Sequence, residues 1–534
     1  VNAPDLANQQ IAKDYDDRPY TSNAFFYAAP GHIRATAWLY GVDTVPLKQA
    51  RVLELGCAAG GNLLPFATLH PEATVVGVDL SSVQVEQGRQ VIADLGIRNL
   101  TLHAMSLTDI TPDFGQFDYI IAHGVFSWVP PEVREAMLRI CRENLSPQGV
   151  AYISYNTYPG WKAGDIVRDA MMLHSHGAQT IEERLERAKT ILTLLSDGLA
   201  AANPLAPSLR GAVQQLRRHS DYYIAHEYLE TFNAPCYFVE FAAAADQAGL
   251  AYIGDAEGQT ELGATYGNNV QLNHSLIAMG QPKAMRQQYL DFAVGRNFRK
   301  SLLTHAERAN DIATSPELAR LRDLRIAAGF RSVDAPAASP AGMQHYQSNR
   351  GRSLATREAP VVAVVEALSS AWPACLSRDE LAAATLGKSG AEGDAHDETI
   401  GKAVETLYRL GMLYLSRDGG AADAAAAEHP QLVTGLAYLK TRGADPGFGV
   451  GPYTYWHDVP DLSLKPAEMF VLEQLDGKRS LTQVRTALRD ALSAGQVPGS
   501  DGKMLTGQRN LDGTAQQIVQ KLVELLRRQG VMLG

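Results

Sequence analysis

The chain has 534 residues, a formal net charge of −10 at pH 7 and 46% hydrophobic content. That length and apolar content suit more than one buried core, and the acidic balance argues against nucleic acid or an anionic membrane surface as the main partner. The four cysteines, Cys57, Cys141, Cys236 and Cys375, form no C-x-x-C pair, so neither a zinc ribbon nor a disulfide framework is indicated, and a reducing cytoplasm is expected.

The N-terminal stretch "VNAPDLANQQ" lacks the basic-then-apolar shape of a signal peptide, and its opening Val implies a lost start residue. No run of about 18 apolar residues occurs, so no membrane insertion is expected. "VLELGCAAGGN" (52–62) then reads as a buried parallel strand breaking into a tight turn at Gly56, Gly60 and Gly61. It has neither the G-x-G-x-x-G spacing of a dinucleotide turn nor the Lys and Ser/Thr of a phosphate loop. "ATVVGVDLSS" is a second strand closing at Asp79, with Ser81 and Ser82 as candidate caps of the next helix. The spacing Glu54-x-Gly56-x-x-x-Gly60, with a second acid one strand later, resembles motif I of the class I S-adenosylmethionine-dependent methyltransferases.

That resemblance implies that the loop holds the methionine end of the cofactor, while Asp79 takes the ribose hydroxyls. A carboxylate suits a diol because it accepts both hydroxyl hydrogens. The implied cofactor-binding set is Tyr15, Ser22, Glu54, Gly56, Cys57, Ala58, Gly60, Asn62, Asp79, Leu80, Gln84, Met105, Ser106, Leu107 and His123. Ser106 departs from the family, which often has an acid there, and Asp109 reads as a solvated loop acid. "LTLHAMSLTDI" (100–110) is a third strand, and "FDYIIAHGVFSWVP" (117–130) a fourth that runs out at His123 and Gly124. Ligands of open α/β sheets sit beyond the carboxyl ends of the strands, so His123 should face the cofactor. An amphipathic helix, a Pro-Gln-Gly turn and a fifth strand ending in Tyr155 and Asn156 complete a Rossmann-like, doubly wound α/β sheet.

A narrower resemblance rests on "YDDRPYTSNAFFYAAPGHIRATAWLYG", "HGVFSWVP", "ISYNTYPGWK", "YIAHEYLETFNAPCYFVEF" and "NFRKSLLTH". Over roughly residues 10–310 these segments look like methyltransferases with a methyltransferase regulatory domain, known best from bacterial protein-lysine methyltransferases acting on outer-membrane protein. The resemblance implies a helical insertion for dimerisation or gating and an N-terminal segment, with Tyr20 and Ser22, that caps the pocket. Read physically, a lysine acceptor with pKa near 10.4 is neutral in only about 1 of 2,500 molecules at pH 7, a handicap of roughly 4.6 kcal/mol. The site must favour the neutral amine, and His123, about four units more acidic, suits shaping or hydrogen bonding first and a proton relay second. His123, Tyr155 and Asn156 are the expected catalytic residues, and Tyr20, Trp128, Tyr158 and Trp161 the expected substrate aromatics, able to hold a lysine by stem packing and cation–π attraction. Phe126 reads as core. His226 and Glu230 have helical i,i+4 spacing, but no H-E-x-x-H motif exists, so a structural contact is expected there and no metal.

"FAAAADQAGLAYIGDA" (241–256) reads as a helix and sixth strand, with a seventh near 292–304. Residues 334–353 are rich in Pro, Ala, Ser and Gly and read as a linker. Beyond it, Glu405, Leu407, Arg409 and Gly411 recur as Glu524, Leu526, Arg528 and Gly530, a weak repeat of winged-helix type. From Gly351 onward 19 Lys and Arg stand against 22 Asp and Glu, a net of −3, which offers phosphates no footprint.

The expected organisation is a methyltransferase core over 1–177, a helical insertion over 178–235 and the return of the core over 236–310. A helical segment and linker follow over 311–353, then winged-helix-like α+β domains over 354–418 and 431–534. The expected cofactor is S-adenosylmethionine, with S-adenosylhomocysteine as product. The expected partner is a protein with exposed lysines or a small-molecule acceptor, with no nucleic acid and a possible homodimer. Protein-lysine methylation, small-molecule N- or O-methylation and cofactor sensing without turnover all stay open.

Overall fold

The apolar runs of the first half become parallel strands: β1 (Arg51–Leu55), β2 (Thr74–Asp79), β3 (Leu100–Ala104), β4 (Phe117–Ala122) and β5 (Leu145–Tyr158). They belong to a computed structural model that describes residues 21–230, 232–337, 339–419, 428–499, 502–506 and 510–533. All six residues of β4 are buried, as a central strand covered on both faces requires. The expected Pro-Gln-Gly turn is instead an irregularity inside β5: Phe117 pairs with Leu145, but Tyr119 pairs with Val150.

After β5 the chain leaves the sheet. Helices Trp161–His174, Ile181–Asp197, Ala206–Leu216 and Asp221–Tyr228 close around Val167, Met171, Leu192, Val213 and Leu216. The first of them lies N-terminal to the expected boundary at 178, because its apolar face packs on the helices that follow. The short β6 (Cys236–Tyr237) pairs with the end of β5, and β7 (Leu250–Asp255) and β8 (Phe298–His305) finish the sheet. The order is β3-β2-β1-β4-β5-β8-β7, with β8 antiparallel to both neighbours. A central Rossmann-like sheet, parallel but for this reversed strand, is therefore the scaffold. Arg299 on β8 is fully buried and bonds both oxygens of Asp291, at 2.8 and 2.7 Å.

The second half departs from the expected string of separate domains. The stretch 334–353 is only partly a linker: β11 (Gln344–Ser348) forms a small sheet with β10 (Phe330–Ser332) and β12 (Ser353–Thr356), after the short β9 (Arg325–Ala327). Alternation in "QHYQS" places Tyr346 inside, a signal that the surrounding Pro and Gly obscured. Arg350, just past β11, lies over the rings of Phe26, Tyr27 and Tyr414.

Two units of three helices follow. The first uses Ala359–Ala371, Arg378–Ala384 and Asp394–Arg409 and closes with β13 (Tyr414–Ser416) on β9. The second uses Pro466–Gln474, Leu481–Ser493 and Leu511–Arg528 and closes with β15 (Met532–Leu533) on β14 (Gln431–Leu432). In each, the loop after the first helix bridges the opening strand, Leu376 to Ile326 and Asp476 to Gln431. Each last helix ends at a glycine with positive φ, Gly411 at 67° and Gly530 at 69°, after a buried Leu407 or Leu526. Among the described residues the closing strand of each unit pairs with the strand preceding its helices, where a winged helix would have a hairpin.

The second unit shares its apolar core with the sheet domain: Leu472, Leu488 and Leu522 belong to the cluster that contains Val52, Val75 and Phe66. Polar clasps reinforce that union, from Tyr453 to Thr68 at 3.1 Å, Tyr438 to Asp94 at 2.6 Å and Gln87 to the Gly447 carbonyl at 2.7 Å.

Candidate functional site

The turn after β1 owes its shape to backbone that only small residues tolerate. Gly56 has φ 72°, Ala58 49° and Gly60 78°, and a Cβ on Gly56 would lie 2.4 Å from the Val125 side chain. The amides of Gly56 and Cys57 are held by the Val78 carbonyl at 2.8 and 3.1 Å. Asp79, at the end of β2, fixes the loop from the other side. Its Oδ2 accepts the Ala58 amide at 2.7 Å and its Oδ1 the Ser81 amide at 2.9 Å, while Ser81 caps the helix Ser82–Asp94. The carboxylate thus has a structural duty besides any ligand.

Beyond these turns lies a cavity of about 240 Å³. Its wall contains Ser22, Glu54, Gly56, Cys57, Ala58, Asn62, Asp79, Leu80, Gln84, Ser106, Leu107, His123, Trp128 and Asn156 of the expected set. Glu54 is buried on this wall: Oε1 accepts the Asn62 side-chain amide at 2.8 Å, and Oε2 has no partner. Burial, and to a lesser extent Asp79, pushes its carboxyl up to about 8. An orphaned acceptor beside a glycine turn fits the amino group of an S-adenosylmethionine methionine moiety, and the Asp79 carboxylate beside Leu80 fits a ribose with its base.

The remaining expected residues lie elsewhere. Tyr15 and Tyr20 fall outside the described residues. Gly60 and Met105 shape turns without lining the cavity; Gly60 packs on Leu102, and the Met105 amide bonds the Asp79 carbonyl at 2.9 Å. Tyr155 is a correction. It is buried with its hydroxyl 3.0 Å from Ser301 Oγ and its ring stacked on Phe241 at 4.2 Å. Neighbouring strand residues point to opposite faces, so Asn156 on the cavity wall excludes Tyr155 from it, and Ser154 joins Asn156 on the near side. Tyr158 and Trp161 are a second correction. Tyr158 bonds Asp165 at 2.7 Å under the Lys162 ammonium, and Trp161 packs on Tyr228 as part of the helical insertion. Phe126 is core, against Phe241 and Tyr155, and Asp109 is exposed.

His123 stacks on Phe25 at 3.9 Å, and its Nδ1 lies 2.9 Å from the Tyr152 hydroxyl. Loss of water around the ring, helped by the Lys300 ammonium, lowers its pKa to about 3, so the imidazole is neutral. Sequence reasoning singled out neither Phe25 nor Phe298 and read His226 and Glu227 as a structural contact, yet all four are on the cavity wall. The last two come from the helical insertion, whose end folds back over the sheet. His226 pairs with Glu230 at 3.3 Å, as its spacing indicated, while burial and the charge of Glu230 raise Glu227 to about 7. The quoted segment "YIAHEYLETFN" carried the signal, but only the fold shows that it reaches the cavity.

Ser22 ties this wall to the C-terminal half. Its Oγ accepts the Gly61 amide at 2.7 Å, its own amide bonds the Gly449 carbonyl at 2.7 Å, and its carbonyl accepts the Gly451 amide at 2.9 Å. Among the described residues no three His, Cys, Asp or Glu side chains are grouped to hold a metal, and no helix is long and apolar enough to cross a membrane.

Comparison with known proteins agrees with this geometry. The family described as "Methyltransferase domain" matches residues 52–149, and "Predicted methyltransferase regulatory domain" matches 220–305. Uncharacterized protein RP789 of Rickettsia prowazekii is 39% identical over 297 residues, 54% of this chain and 52% of that protein, so the match spans about half of this relative. Uncharacterized protein RP028 of the same organism is 39% identical over 228 residues, 42% of this chain and 91% of that protein. The structure of PKMT2 from Rickettsia typhi in complex with AdoHcy superposes with TM-score 0.80 at 26% identity, covering 97% of this chain and 100% of that one.

Proposed function

Because the chain belongs to the class I S-adenosylmethionine-dependent methyltransferases that carry a methyltransferase regulatory domain, we propose that it methylates lysine side-chain amines of a protein acceptor. The observation that carries this reading is the wall of the cavity, which Trp128, Asn156 and Glu227 line together with His123. When bound, S-adenosylmethionine supplies a methyl group activated by its sulfonium. Glu54, Asn62, Asp79 and Leu80 are assigned to hold it.

The chain's own work is then to present a neutral amine in line and to exclude water. The Trp128 ring packs the lysine stem, the Asn156 carboxamide accepts an amine hydrogen, and the Glu227 carboxylate draws the incoming ammonium and lowers the cost of its burial. His123 holds the wall: its neutral ring is far too weak a base to deprotonate an ammonium directly. The resemblance to bacterial protein-lysine methyltransferases and the full-length likeness to PKMT2 support this acceptor class. Exposed Leu173, Leu194 and Leu205 on the helical insertion support a homodimer formed there, and the two C-terminal units are read as winged-helix-like modules that hold the N-terminal cap.

The test is transfer of a radiolabelled methyl group from S-adenosylmethionine into fractionated host extract. Label recovered as methyl-lysine after acid hydrolysis of the protein pool is the expected result. Label confined to small molecules would replace this reading with a metabolite methyltransferase.

A further inference from the structure

A second, larger cavity of about 750 Å³ lies between the two repeated three-helix units, far in sequence from the methyltransferase turns. Its polar wall carries four guanidinium groups, Arg331, Arg485, Arg527 and Arg528, against the single carboxylate of Glu524. In a chain of net charge −10 this concentration of positive charge is a local inversion. Arg485 Nε is buried without a hydrogen-bond partner, 3.6 Å from Asp512. Arg331 bonds Gln347, and neither it nor Arg527 nor Arg528 meets a carboxylate at ion-pair distance among the described residues. Three guanidinium groups gathered in a cleft with no carboxylate at ion-pair distance, beside a fourth paired with Asp512, repel each other and raise the affinity for an anionic partner.

The rest of the wall is partly apolar: Phe330, Val519, Val523 and exposed Leu481 line it with Trp372, whose Nε1 donates to the Arg528 carbonyl at 3.1 Å. We infer that this cleft docks an acidic peptide segment of a partner protein, with carboxylates on the arginines and interspersed apolar side chains on the apolar part of the wall. A polyphosphate chain fits less well. It has nothing to place on Phe330 and Val523, Glu524 repels it, and Arg527 and Arg528 sit at the carbonyl end of their helix, where the helix dipole disfavours dense negative charge. Carboxylates spaced along a peptide can instead take single or forked bonds from each guanidinium. The volume falls in the usual range of ligand sites. The inference goes beyond methyl transfer and does not depend on which acceptor the other cavity uses.

Fluorescence anisotropy on the full chain at about 0.1 M salt tests it. The probe is a fluorescein-labelled peptide of about twelve residues, Asp and Glu with Leu or Phe at every third position. The same peptide with Lys for each acid, and a single-stranded DNA of equal length, are the comparisons. Saturable binding of the acidic peptide alone is expected, weakened at least tenfold by Arg527→Glu with Arg528→Glu, and several-fold by Arg331→Glu on its exposed strand. Calorimetric binding of S-adenosylhomocysteine should be unchanged in each variant, which shows that the chain is folded. No saturable binding, binding indifferent to the charge reversals, or DNA bound as tightly as the peptide would overturn the inference. Peptide binding that persists while no protein is methylated would leave it standing and remove the lysine reading instead.

Discussion

Glu54 offers a sharp test of how this chain meets its cofactor. Its carboxyl is buried, one oxygen is satisfied by Asn62 and the other is orphaned, and its pKa of about 8 leaves it about nine-tenths protonated at pH 7. A cationic amine placed at the orphaned oxygen returns the bound carboxyl to the ordinary range. The ligand then lowers the pKa, so binding releases a proton and affinity rises with pH. With a free-state value of 8, the ionised fraction is about 1% at pH 6, 9% at pH 7 and 50% at pH 8. Affinity for S-adenosylhomocysteine should therefore climb about tenfold from pH 6 to 7 and about fivefold from pH 7 to 8. About 0.9 proton should be released per binding event at pH 7, read by titration calorimetry in two buffers of different ionisation enthalpy. Glu54→Gln should flatten that pH dependence, abolish the release and weaken binding at pH 8 by about 1.5–3 kcal/mol, the worth of a hydrogen bond to a charged group. A wild-type affinity that is flat between pH 6 and 8, or a variant that keeps the slope, would refute the assignment.

Other expectations follow from neighbouring features. A Cβ at Gly61 would stand 2.1 Å from the Ser22 carbonyl oxygen, so Gly61→Ala should lift the N-terminal cap and weaken S-adenosylhomocysteine binding at least tenfold; an unchanged Kd would separate the cap from the cofactor site. Asn156→Ala should lower kcat with little change in cofactor Kd, and Tyr155→Phe, which loses only its bond to Ser301, should leave kcat within about twofold; a large loss with Tyr155→Phe would restore it to the site. Among the described residues, Asp291→Ala leaves buried Arg299 with Glu261, at 3.6 Å, as its one remaining ion-pair partner and half-buried Arg296 with none, and should cost about 3–5 kcal/mol by urea denaturation; a loss under about 1 kcal/mol would contradict the buried pairing. His32 is buried neutral, lowered to about 3 by loss of water, with Nε2 donating to the Ala256 carbonyl at 2.6 Å. It contributes stability above the unfolded value near 6.5 that is lost as pH falls, so below that pH His32→Gln should lessen the fall in stability by up to about 1.4 kcal/mol per pH unit. Parallel curves for the two proteins would mean that His32 is charged when folded.

What the sequence determined by itself is what local chemistry encodes. Strand β4 appeared with its observed ends because six apolar-rich residues stand between a Gly-Gln and a His-Gly. The turn at Gly56 and the acid at Asp79 were legible because each needs a particular residue at a particular place in one strand-to-helix unit. The internal repeat was legible too, since both third helices end on the same Leu and Gly.

Tertiary structure decided everything that depends on which face, or which distant segment, a residue meets. Tyr155 and Asn156 are adjacent and equally plausible in the string, yet strand alternation sends one into the core and one to the cavity. Trp161 reads as a substrate aromatic until its helix is seen to pack on Tyr228. Glu227 joins the site only because the insertion folds back over the sheet, 171 residues after the turn at Gly56 with which it shares the cavity wall. The union of the second C-terminal unit with the sheet domain, with Ser22 held between Gly61 and Gly449, arises from apolar surfaces far apart in the chain. Such long-range burial leaves no periodic or local mark, because its free energy depends on surfaces meeting and not on the order of residues within any one segment.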